Sequence, residues 1–234
     1  MNRSRARITA MVTDLALLRL LQLVSPGLPI GMYSYSQGLE RAVDEGWISN
    51  AGDAGVWIGG LMDTCLTRID LPILARLYDA WSCGNLEQVD YWSRILMACR
   101  ETAELRAEDR QTGQALARLL DSLAIAGMQS WIRKPEATLA CVFAFAAVNW
   151  DIPRRETAIG YLWSWLENQV LCAVKLVPLG QVAGQRLLTD LAGKIPALVD
   201  EALNLGDDEI GGSAFGLALA SSRHEMQYSR LFRS

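Results

Sequence analysis

The chain has 234 residues, 51% of them apolar and 21% charged, with a net charge of −4. Such a length buries a sizeable core in one large domain or two small ones, and the apolar fraction excludes disorder as the main state. The slight acidic balance excludes the strongly basic footprint of a nucleic-acid binder.

The N-terminus reads "MNRSRARITAMVTDLALLRLLQLV". Arg3, Arg5 and Arg7 supply a positive start, but Asp14 and Arg19 interrupt the apolar run that a secretory signal needs. Residues 1–14 therefore read as a flexible basic arm, with a first helix starting near Thr13. Ser25-Pro26 and Leu28-Pro29 stop that helix.

The next stretch, "SPGLPIGMYSYSQGLE" (25–40), crowds two prolines, three glycines, three serines and two tyrosines together. Ser34-Tyr35-Ser36-Gln37 matches the S-x-x-Q capping box, which predicts a helix start there with Tyr35, Leu39 and Val43 facing the core. That reading leaves Tyr33, Ser36 and Gly38 unexplained. A glycine in the second turn of a helix costs about 1 kcal/mol relative to alanine, a cost usually offset by close approach of another backbone. A helix start and a shaped contact surface both remain open.

Helical periodicity dominates the rest. Ala54, Ile58, Leu61 and Cys65 form one apolar face; Leu74, Leu77, Tyr78 and Trp81 form another; Val89, Trp92, Leu96 and Cys99 form a third. Asn50 is placed to cap, Pro72 sits in a first turn, and Gly84-Asn85 separates two helices. Pro153 opens a long helix that Pro178 closes. Pro196 interrupts the next segment, "NLGDDEIGGS" (204–213) is a loop, and a last helix should begin near Ser213. No alternating run rich in Val, Ile and Thr supports a strand. The fold class expected is all-α: a single-domain bundle of about ten helices with short connections spanning 15–234.

The longest uncharged apolar run, Ala137 to Trp150, is well short of the ~20 residues that span a bilayer. Five cysteines are scattered without a C-x-x-C pair, as expected of reduced, buried thiols in a cytosolic protein. One histidine, His224, excludes histidine metal clusters and most conventional triads. No nucleophile elbow, P-loop or dinucleotide fingerprint occurs. A thiol enzyme would have to pair Cys172 with His224, a lone pair far apart in sequence. No catalytic residue, bound metal or cofactor is expected.

Three further segments are notable as surfaces. In "ETAELRAEDRQTGQALARLL" (101–120), Asp109 lies on the apolar stripe and needs a partner, for which Arg106 and Arg110 are near; Gly113 permits tight packing. In "ENQVLCAVKLVPLGQVAGQRLL" (167–188), Lys175, Gln181 and Arg186 mark a polar corner around Pro178. The tail "ASSRHEMQYSRLFRS" (220–234) carries Arg223, Tyr228, Arg230, Phe232 and Arg233. Arginine and aromatic residues are the usual anchors of interfaces. Tyr228 and Phe232, one turn apart if helical, would fill adjacent pockets.

These segments resemble the UreF family of urease accessory proteins. "LLQLVSPGLPIGMYSYSQGLE" is similar to its N-terminal hallmark, "ETAELRAEDRQTGQAL" to its central charged helix, "ENQVLCAVKLVPLGQVAGQRLL" to its third block and "RHEMQYSRLFRS" to its terminal signature. The resemblance runs from about residue 15 to 234. Met32-Tyr33, Thr112 and Ala183 depart from it, and Ala183 alters the surface of its corner. The resemblance implies an all-helical, usually dimeric, non-catalytic protein. It implies binding to UreD/UreH, recruitment of the GTPase UreG, and docking on apo-urease, with nickel and GTP held by the partners. Arg223, Tyr228, Arg230, Phe232 and Arg233 would then meet UreD/UreH, and Lys175, Gln181 and Arg186 the GTPase side. Tyr33, Ser36, Gly38, Asp109 and Gly113 would serve packing or the dimer surface.

Overall fold

A computed structural model describes residues 12–234. Eleven α-helices and no strand occur among the described residues: α1 (Asp14–Leu23), α2 (Leu39–Asp44), α3 (Ala51–Leu61), α4 (Leu71–Ser82), α5 (Leu86–Ala98), α6 (Ala103–Ser122), α7 (Leu139–Asn149), α8 (Arg154–Leu176), α9 (Gln181–Ala192), α10 (Ile195–Asn204) and α11 (Phe215–His224). The all-α expectation holds. Most of the basic arm, residues 1–11, lies outside the described residues. Its last residues do not: Asp14 opens α1, and the Thr13 hydroxyl accepts the Ala16 N–H at 3.2 Å.

The apolar run from Ala137 becomes α7, buried on nearly every side. A helix apolar all round belongs at the centre of a bundle, and α4 and α6 pack on it with α8 beside them. Trp81 of α4 meets Phe145 edge-on at 4.9 Å and Trp131 at 5.0 Å. On the other flank Gly113 lets α6 touch the start of α7. A Cβ there would stand 2.0 Å from the Ala137 carbonyl oxygen.

Local signals place most boundaries. Asn50 accepts the Asp53 N–H at 3.0 Å and Asn85 the Gln88 N–H at 3.2 Å, each capping a helix as expected. Pro153 and Pro178 bracket α8. The segment after Pro178 breaks as expected beside Pro196: α9 ends at Ala192, and Pro196 sits in the first turn of α10, where its missing N–H costs nothing. Pro72 likewise sits in the first turn of α4, although no break precedes it. Residues 51–82 are continuously helical, with a π-helical segment, Met62–Asp70, joining α3 to α4. Proline removes the bond that its N–H would give the preceding turn. The Arg68 carbonyl is instead used by the loop, accepting the Gly211 N–H at 3.1 Å.

The Ser34–Gln37 capping box is absent. Met32–Ser34 is a 3-10 turn, Gln37 and Gly38 have φ of +50° and +76°, and α2 starts only at Leu39. The Ser36 hydroxyl, not that of Ser34, accepts the Glu40 N–H at 3.2 Å. Gly38 is thus not a helix-interior glycine. It occupies a left-handed position that glycine adopts without strain. Its open face meets α11, where a Cβ would lie 3.1 Å from the Ala220 Cβ.

Candidate functional site

The unexplained opening stretch is the hub of a polar cluster. Tyr35 is buried; its hydroxyl donates to Gln111 of α6 at 2.8 Å, and its carbonyl accepts the Asn168 amide of α8 at 3.0 Å. Gln37 donates to Glu108 of α6 at 2.8 Å and accepts the Trp165 indole N–H of α8 at 2.7 Å. Residues 34–36 also pair with the end of the chain. The Arg233 N–H donates to the Ser34 carbonyl at 2.7 Å, and the Ser36 N–H to the Ser234 carbonyl at 2.8 Å. The left-handed turn at Gln37 and Gly38 makes this possible by bending the chain between the pairing segment and α2.

The tail runs back over the molecule after α11. Glu40 of α2 accepts the Leu231 N–H at 2.6 Å and the Phe232 N–H at 2.9 Å. Glu104 of α6 accepts Arg230 at 2.7 Å. Ser234 donates its hydroxyl to Glu108 at 3.1 Å. Burial pushes the Glu108 carboxyl up to about 7, against the stabilising hydrogen bond from Gln37. So α2, α6 and the opening stretch together form a receptor for the chain's own tail.

That arrangement divides the predicted tail residues. Helix α11 ends at His224, so Tyr228 and Phe232 are not neighbours on one helical face. Tyr228 is fully exposed, with Met226 and Leu231 exposed beside it in sequence. Phe232 is only 5% exposed and joins the apolar core, so it is an anchor within its own chain rather than an outward contact. The Lys175 ammonium lies 5.6 Å from the Phe232 ring centroid, within cation–π range. Lys175 is exposed, and so are Gln181 and Arg186 on α9. Arg186 lines a groove between α3 and α9 with Asp63, Asp190 and Lys194. Arg223 bonds Glu45 at 3.3 Å, and the exposed Arg233 holds the tail through its backbone.

The positions expected at packing or dimer surfaces separate as well. Ser36, Gly38, Asp109 and Gly113 are buried within this chain, and only Tyr33 keeps partial exposure. Burial, with Glu167 and Cys172 nearby, pushes the Tyr33 hydroxyl up to about 12. The partner of Asp109 is neither Arg106 nor Arg110 but Arg100, which also forks onto Asp70 of the π-helical segment at 3.0 Å. Burial opposes the Arg100 charge, yet Asp109 and Asp70 hold its guanidinium well above its usual range. Arg106 instead donates to the Arg100 carbonyl and orients the loop that carries it.

Nothing brings Cys172 and His224 together as nucleophile and base. The Cys172 thiol donates to the Tyr35 carbonyl at 3.6 Å, and burial pushes it up to about 12. Both ring nitrogens of His224 face carboxylates, Glu104 at 2.7 Å and Glu40 at 3.3 Å. Sequence reasoning missed Glu40, Glu104 and Glu108. Their only signal was a carboxylate adjoining an apolar face, which is equally the mark of a solvated helix edge. Among the described residues no helix is long and apolar enough to cross a membrane.

Comparison with known proteins gives this architecture a lineage. The family model described as UreF matches residues 48–192. A urease accessory protein UreF of Alkalilimnicola ehrlichii is 52% identical over 220 residues, covering 94% of this chain and 96% of its own. Its counterpart in Pseudomonas putida KT2440 is 51% identical over 224 residues, covering 96% and 100%. That of Teredinibacter turnerae is 49% identical over 218 residues, covering 93% and 98%. The opening stretch and the tail fall outside the matched model. The chain belongs to the UreF family of urease accessory proteins.

Proposed function

We propose that the protein acts as a non-catalytic adaptor in cytoplasmic urease maturation. It binds UreD/UreH through its tail and, as a homodimer, recruits the GTPase UreG. The assembly docks on apo-urease and inserts nickel as GTP is hydrolysed. Nickel and GTP are bound by those partners, and this chain needs no cofactor of its own.

The observation that supports the reading best is the presentation of Met226, Tyr228 and Leu231. Exposed apolar and aromatic side chains on a segment pinned by backbone hydrogen bonds have little ordering entropy left to lose on binding. Arg223, Arg230 and Arg233 supply charge around them. Phe232 acts from inside, holding the segment in place. Lys175, Gln181 and Arg186 form the side that meets the GTPase. The test is co-purification with UreD/UreH. Tyr228→Ala should weaken capture at least about tenfold, the scale of one interface anchor, without changing the fold. Full capture by a chain lacking residues 225–234 would remove the tail from the interface. For the GTPase side, Lys175→Ala should alter GTP turnover or urease activation in a reconstituted assembly; unchanged values of both would dismiss that surface.

A further inference from the structure

His224 is the chain's single histidine and is fully buried at the end of α11, where the tail begins. Its Nδ1 lies 2.7 Å from Glu104 Oε2 and its Nε2 3.3 Å from Glu40 Oε2. The same two carboxylates receive the tail: Glu40 through the Leu231 and Phe232 N–H groups, Glu104 through Arg230. The cluster therefore sets two acids against Arg230 and the ring. An ionised carboxylate only accepts hydrogen bonds, and a neutral imidazole has a single N–H. With both carboxylates ionised, the two contacts can both be hydrogen bonds only when both ring nitrogens carry protons. With one proton lost, one contact becomes lone pair against lone pair; Glu104 keeps Arg230, but the buried Glu40 is left with backbone N–H groups and no countercharge.

We propose that His224 is a proton-dependent positioning residue for the tail. The doubly protonated ring holds Glu40 and Glu104 in the orientation that receives Arg230, Leu231 and Phe232; loss of its second proton loosens residues 225–234. The other charged groups nearby have partners of their own. On α2, Arg41 pairs with Asp44 and Glu45, and Glu45 also takes Arg223. The Glu225 carboxylate accepts the Ala103 N–H at 3.2 Å. Glu108 of α6 is the other buried acid that touches the tail, through Ser234. The inference concerns how the tail is attached and holds whatever partner the tail meets.

The test uses the full chain. With one histidine, the ring nitrogens give one set of 15N signals that need no assignment. These signals and the amide hydrogen exchange of residues 225–234 are followed from mildly acidic to mildly alkaline pH. Tail exchange, corrected for its intrinsic pH dependence, should rise at least about tenfold as the imidazolium signal disappears, matching the loss of one charge-assisted hydrogen bond. His224→Gln should flatten that dependence and Glu108→Gln should preserve it. A neutral ring throughout with the tail still protected would overturn the proposal, as would tail exchange indifferent to the ring's titration. Loss of the dependence in Glu108→Gln would overturn it too, by assigning the switch to Glu108. The wild-type spectra decide the matter should His224→Gln fail to fold.

Discussion

The centre of the bundle and the clasped tail are held by different physics. At the centre, α4, α6 and α7 bury Leu, Ala, Val and Phe side chains, and the same contact is made many times over along each helix. At the clasp, a few directional bonds join residues far apart in sequence: Ser36 to Ser234, Glu40 to Phe232, Glu104 to His224. Apolar burial is non-directional and tolerates exchange of one hydrocarbon for another. A buried polar cluster does not, because each group left without its partner keeps its full desolvation cost. The centre therefore sets overall stability, and the clasp sets the position of one segment.

Substitutions at the two glycine contacts separate the regions most sharply. Gly113→Ala places a methyl against backbone atoms that cannot swing away, 2.0 Å from the Ala137 carbonyl oxygen. It should destabilise the whole fold by about 3 kcal/mol or more, seen as a lower urea midpoint with an unchanged slope. Gly38→Leu faces a left-handed φ of +76° and the Ala220 Cβ at 3.1 Å. It should cost roughly 1–3 kcal/mol and loosen α11 and the tail before the rest of the molecule. Equal hydrogen-exchange losses throughout the chain would show that the clasp is no separate unit.

The next contrast lies within the tail. Phe232→Ala should release residues 225–234 to exchange and proteolysis, because it removes an apolar anchor whose burial contributes about 2 kcal/mol. Tyr228→Ala should leave stability within about 0.5 kcal/mol of wild type, since the ring contacts solvent alone. Global destabilisation by Phe232→Ala with no selective loss of tail protection would merge the two regions into one.

The pH dependence of stability sharpens the comparison further. The Glu108 carboxyl is pushed up to about 7, whereas an unfolded glutamate titrates near its usual value of 4.5. Between those values the folded state keeps a proton that the unfolded state has released. Its contribution to stability is therefore fully present below about 4.5 and is lost as pH rises through about 7. The change should be on the order of a few kcal/mol. Glu108→Gln should abolish that slope in denaturation curves measured across the interval; an unchanged slope would place its origin elsewhere. A small effect is expected at Lys175→Ala, which removes an exposed contact with the Phe232 ring. It should shift stability by no more than about 0.5–1 kcal/mol, read as a small change in thermal midpoint.

The helices at the centre were legible from the order of residues because apolar periodicity and caps are local. Thr13, Asn50, Asn85 and the Pro153–Pro178 bracket set boundaries within a turn of their own positions. One local reading failed for a tertiary reason, and another held only in part. The S-x-x-Q pattern at Ser34–Gln37 has a capping box's spacing, but Gln37 is drawn to Glu108 and Trp165, Gly38 takes the N-cap position, and the Ser36 hydroxyl accepts the Glu40 N–H. Pro72 does sit in the first turn of α4, but the π-helical segment leaves no break before it.

The sequence by itself determined the all-α class, most helix boundaries and the family, along with the segments that set this chain apart from an ordinary bundle. Only the tertiary structure decided what those segments do to one another. It gave Asp109 to Arg100 rather than to a neighbour on its own helix, turned Phe232 inward and Tyr228 outward, and set the lone histidine between two acids. The physical reason is range. Helix formation and capping are settled within about four residues along the chain, whereas a buried charge takes whichever counter-charge the packing of distant helices brings within reach.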